Sequence, residues 1–143
     1  MPPPSVQELK KAILKGGFEV YRTRGSEIQL AERPRENLIM DAGISILHGD
    51  PLRLRVTVRA QKADFPGEND EALFERALAL ASPLLSRGFA EVERRARPLP
   101  DPGDPSHILD TWLEIFLERS LSESDDLLAE LPPLLQLNKA AVR

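Results

Sequence analysis

From Leu52 to Ala60 the chain reads Leu-Arg-Leu-Arg-Val-Thr-Val-Arg-Ala, apolar at every second position. A period of two buries one face of a sheet and leaves the other for water or a partner. Leu38 to His48 repeats the pattern, with Leu38, Met40, Ala42, Ile44 and Ile46 sharing one face. The turn between them, Gly49-Asp50-Pro51, can be tested against register, because directly opposed residues point to the same side. A two-residue loop sets Ile46 opposite Arg53 and mixes the faces. A three-residue loop sets Ile46 opposite Leu54, Ile44 opposite Val56 and Ala42 opposite Val58, and also Asp41 opposite Arg59. The three-residue loop is expected.

Ahead of this hairpin, Pro2 to Pro4 form a lead-in. Ser5 with Glu8 reads as a capping box, and Val6, Leu9, Ala12 and Ile13 make a short apolar stripe that Gly16-Gly17 ends. Phe18 to about Arg24 and Glu27 to Glu32 read as strands about a Gly25-Ser26 turn. After the hairpin, Asn69 or Asp70 caps a helix with a stripe from Leu73 to Leu85, which Pro83 should kink and Gly88 should stop. Phe89 to Arg97 fits an edge strand, with helix as the alternative. Leu99 to Pro105 reads as a proline-rich connector. Asp104-Pro105 reads as the start of a third helix bearing Ile108, Leu109, Trp112, Leu113, Phe116, Leu117 and Leu121. Ser122 with Asp125 opens a shorter leucine-bearing segment that Pro132-Pro133 should end.

These elements predict an α+β fold, a mainly antiparallel sheet of four to five strands packed on one face by helices, in the order α-β-β-β-β-α-β-α-α. Residues 1–121 form the domain, and residues 122–143 form a leucine-rich arm.

Composition narrows the function more by exclusion than by choice. The 143 residues include no cysteine, which removes disulfides, thiolate metal sites and a cysteine nucleophile. No basic leader precedes an apolar stretch and no run approaches a membrane span, so a cytoplasmic protein is expected. The net charge of −4 argues against general nucleic-acid binding. Eleven Lys/Arg stand against seven Asp/Glu in residues 1–62, and eight against sixteen thereafter. No nucleophile elbow or phosphate-binding glycine loop occurs. His107 stands three residues from Asp104 and six from Asp101, an oxygen-plus-imidazole set, but Asp104 is also a natural cap. No catalytic residue, cofactor or metal is expected.

The remaining candidates are surfaces for a protein partner. Arg53, Arg55 and Arg59 give the sheet a cationic face without the interleaved aromatics of nucleic-acid readers. Asp110, Glu114 and Glu118 recur every fourth residue, an acidic stripe on the third helix. Leu127, Leu128, Leu131, Leu134 and Leu135 would dock in a groove on this chain, a dimer mate or a client. The helix Ser5–Lys15, the strands within Phe18–Ala60, the helix Asp70–Arg87 and the helix Pro105–Leu121 together resemble class I type III secretion chaperones. They also resemble the related fold of small bacterial sensory-transduction regulators. That resemblance implies a homodimer that binds an extended client segment along hydrophobic patches without hydrolysing anything. A regulatory or immunity-type protein that binds one folded partner is the alternative expectation.

Overall fold

The alternation at Leu52–Ala60 is realised as β4 (Arg53–Gln61), whose residues run exposed or half-buried and buried in strict turn. Before it come α1 (Val6–Lys15), β1 (Val20–Arg24), β2 (Glu27–Arg35) and β3 (Leu38–Leu47). After it come α2 (Asp70–Leu80), α3 (Ser82–Leu85), β5 (Ala90–Asp101), β6 (Asp104–Ser120) and α4 (Leu127–Ala141). The structure, a computed structural model, describes residues 4–122 and 124–141; the lead-in expected at Pro2 and Pro3, and Glu123 of the polar segment, lie outside them. The fold is α+β, with a six-stranded antiparallel sheet in the order β1-β2-β3-β4-β6-β5.

The three-residue loop is present. Ile46 faces Leu54, Ile44 faces Val56, and Ser45 faces Arg55. Past Ile44 the strand bulges. Between Gln29↔Ser45 and Ala31↔Asp41, β3 advances four residues while β2 advances two. Gly43 supplies the positive φ of 77° that such a bulge needs. Asp41 accepts from the Gly43 amide at 2.9 Å, and Arg59 lies over the Trp112 ring.

The chain divides into two compact units, one made of the segments through Val56 and from Glu118 onward, the other of Thr57–Leu117. In the first, Ser5 caps α1 through the Glu8 amide at 3.1 Å, and Leu9 and Ile13 are buried. Ile28, Leu30, Ile44, Ile46, Leu54 and Val56 are closed to solvent and form its core. Each such side chain contributes roughly 1.5–3 kcal/mol on burial. In the second, Asn69 caps α2 through the Ala72 amide at 2.9 Å. The helix breaks at Ala81 and restarts as α3 with Pro83 in its first turn. Leu73, Ala77, Leu84, Leu113, Ile115 and Leu117 are its main buried groups.

The largest correction concerns the expected third helix, which is a strand. Leu99 to Pro105 is no connector either. β5 continues to Asp101, Pro102-Gly103 turn, and β6 returns. Asp101 accepts from the Gly103 amide at 2.9 Å, and Asp104 accepts from the Ser106 hydroxyl at 2.6 Å. This is aspartate-proline-glycine turn chemistry and not a helix cap.

α4 corrects two more readings. Asp126 caps it through the Leu128 amide at 3.1 Å. Pro132 and Pro133 lie inside it and do not end it, although each removes a backbone donor. Leu131 and Leu134 are closed to solvent, Leu127, Leu128 and Leu135 are half-buried, and the helix packs against β3 within the first unit. Arg119 of β6 holds Glu130 of α4 at 2.8 Å. Leu131 and Leu134 belong to the core of that unit.

Candidate functional site

Two of the β4 arginines, Arg53 and Arg55, reach a shared carboxylate. Glu118, with a side chain only 9% exposed, accepts from Arg53 Nη1 at 2.6 Å and from Arg55 Nη2 and Nε at 2.6 and 2.9 Å. Arg55 also reaches Glu27 at 3.7 Å. Gln29 donates to Glu27 and accepts from Arg22, each at 2.6 Å, which extends the polar network to the edge strand β1. The arginine stems cover the sheet beneath them, as long amphipathic side chains do. Gln29 and Ser45 are accordingly buried.

The second unit repeats the device with aromatics added. Along β6, Asp110, Trp112, Glu114, Phe116 and Glu118 occupy alternate positions, with Leu113, Ile115 and Leu117 turned to the opposite face as core. The buried Glu114 carboxylate holds Arg95 at 3.3 Å and Arg97 at 3.4 Å. Arg59 and Arg97 both lie on the Trp112 ring, at 4.0 and 4.8 Å from its centre, and Arg95 lies 5.1 Å from that of Phe116. Asp110 accepts from the Ala63 and Thr111 amides at 2.8 Å each. The acidic stripe is therefore a strand face, and two of its three members are occupied by arginines. Trp112 is not a core residue but the half-buried centre of this cluster.

Trp112 is the sole tryptophan and so reports on the cluster. Arg97→Ala is expected to shift its emission to longer wavelength and to cost about 0.5–2 kcal/mol, the range of a cation–π contact. An unshifted spectrum would show that Arg97 does not shield the ring.

A concavity with mixed apolar and charged walls lies in the first unit, beside β1. It has a volume of about 300 Å³. Leu30, Ala42, Phe18 and Leu135 supply apolar walls, and Glu19, Glu32 and Arg33 supply charge. Three local features assemble it. Gly17, at φ 92°, reverses the chain after α1, and the Phe18 amide then donates to Ile13 O at 3.2 Å. The Ala31 amide donates to Glu19 O at 2.9 Å, which pins the approach to β1 against β2. Arg33 Nε meets Glu19 at 3.1 Å, and its Nη1 donates to Glu36 O at 2.7 Å. Among the described residues β1 ends the sheet, and no further strand pairs with its outer edge.

Of the candidate partner-binding residues, only Leu135 lines this cavity. Arg53, Arg55 and Glu118 come together elsewhere in the same unit, and Arg59 and Glu114 belong to the tryptophan cluster. Glu19, Leu30, Glu32 and Arg33 escaped notice because each reads locally as an ordinary strand or turn residue. The Gly16-Gly17-Phe18 junction was the one available signal. His48 donates to Pro4 O at 2.6 Å. The described residues contain no group of three or more His, Asp or Glu side chains arranged to hold a metal. None of their helices is long and apolar enough to cross a membrane. No protein-family model, curated protein or solved structure matches the chain.

Proposed function

We propose that this chain is a non-enzymatic, cytoplasmic protein-binding domain, chaperone-like or adapter, that holds an extended segment of a client or partner. The observation that supports this reading is the 300 Å³ cavity with apolar walls lying beside an end strand. An extended segment adding to the outer edge of β1 gains backbone hydrogen bonds, while a neighbouring pocket selects one of its side chains. The volume stands at the lower end of small-ligand sites, which run from about 300 to 1,000 Å³. Its apolar walls suit an aliphatic side chain.

The acidic stripe lies on a strand whose Glu114 and Glu118 already hold arginines, so the extended-segment reading is preferred. Homodimerisation is proposed with it. Exposed Val92, Ile108 and Leu109 in the second unit are among the apolar groups available for it, and sedimentation at about twice the 16.0 kDa chain mass checks it.

The test is selection of peptides from a displayed library, followed by binding measurements on two variants of the system. Leu135→Trp fills the cavity from its half-buried wall and is expected to weaken selected peptides at least tenfold while the melting temperature holds. N-methylation of alternate peptide nitrogens is expected to weaken binding in one register and not in the other. Peptides indifferent to both changes would refute the reading.

A further inference from the structure

The charges at the mouth of the cavity do not balance. Arg33 is matched by Glu19 at 3.1 Å. Glu32 is half-buried and, among the described residues, has no ion-pair partner. It stands two residues from Leu30 on β2, and both residues line the cavity. The lining thus joins an apolar floor to one uncompensated carboxylate, at a spacing of one strand repeat.

We infer that the segment bound here is basic as well as aliphatic: a bulky aliphatic residue enters the cavity, and a lysine or arginine two positions away meets Glu32. This rests on the proposed extended-segment function and names the chemistry of its partner. A strand laid along β1 turns residues two apart to one side, so its spacing matches that of Leu30 and Glu32. The chain's net charge of −4 favours the approach of such a segment. An acidic segment would set like charges together at a partly desolvated mouth, where screening is weaker than in bulk water.

Two synthetic peptides test this, acetyl-Thr-Val-Leu-Thr-Lys-Thr-Val-amide and the same sequence with glutamate for lysine. Both are titrated into the full chain at 50 mM salt while amide resonances of Gly17, Ala31 and Glu32 are followed. The lysine peptide is expected to bind at least fivefold tighter. Glu32→Gln is expected to bring the ratio below twofold, and Glu32→Lys to invert it. Raising salt to 1 M, where the screening length falls to about 3 Å, should erase the preference in the unmodified chain. Equal binding of both peptides at the cavity overturns the charge preference and leaves the extended-segment reading standing. A preference that survives Glu32→Gln also overturns it. Absence of shifts at the cavity with either peptide at millimolar concentration overturns both.

Discussion

Replacing Leu54 with aspartate is expected to abolish the cooperative melt of the first unit. Leu54 has no solvent exposure and faces Ile46 across the hairpin. The change forfeits roughly 1.5–3 kcal/mol of apolar burial. It also places a carboxylate where nothing solvates it, at a cost of several kcal/mol. Together these approach the whole stability of a small domain, about 5–15 kcal/mol. Arg53→Ser one residue earlier is expected to cost about 0.2–1 kcal/mol, because the side chain is half exposed and Glu118 keeps Arg55. Arg55→Ser should fall between them, since Arg55 bridges Glu118 and Glu27. Urea melts of the three variants give the ranking. Equal midpoints for Leu54→Asp and Arg53→Ser would contradict the observed register.

Truncation after Ser122 is the second large effect. It removes Leu131 and Leu134, both closed to solvent, together with the Glu130–Arg119 ion pair at 2.8 Å. A leucine cut back to alanine in a core costs about 2–5 kcal/mol, and here two whole side chains and their helix are lost. The truncated chain is expected to lose its sharp thermal transition and to bind a hydrophobic dye. A shortened chain that melts as sharply as the parent would return α4 to the role of a detachable arm. Leu135→Ala in the intact chain serves as the mild control, because Leu135 is half-buried at the cavity wall.

The hairpin of β3 and β4 was legible because one face is apolar and the other polar, so period and turn length together fix the register. β6 was not legible, for a reason specific to its surroundings. Leu113, Ile115 and Leu117 face the core, while Trp112 and Phe116 fill the other side under arginines. A strand covered on both faces loses its alternation. Its glutamates at 114 and 118 then mimic a helix face, since a spacing of four suits either element. Pro132-Pro133 misled in the opposite sense, because α4 is held by buried leucines that outweigh two missing backbone bonds. The cavity lay beyond sequence patterning altogether. It is built from the α1–β1 junction, β2, β3 and α4, segments that meet only after folding.

The shared carboxylates of the sheet face make it unevenly tolerant of drift. Glu118 serves Arg53 and Arg55, and Glu114 serves Arg95 and Arg97. Loss of any one of these arginines leaves its glutamate still attended by another. Loss of either glutamate takes the shared carboxylate from two guanidinium groups at once, although Arg55 keeps Glu27 at 3.7 Å. Random substitution would therefore wear away the arginines singly and quietly, whereas the two acids would change only in company with their cations. Two residues thus restrict the variation open to four.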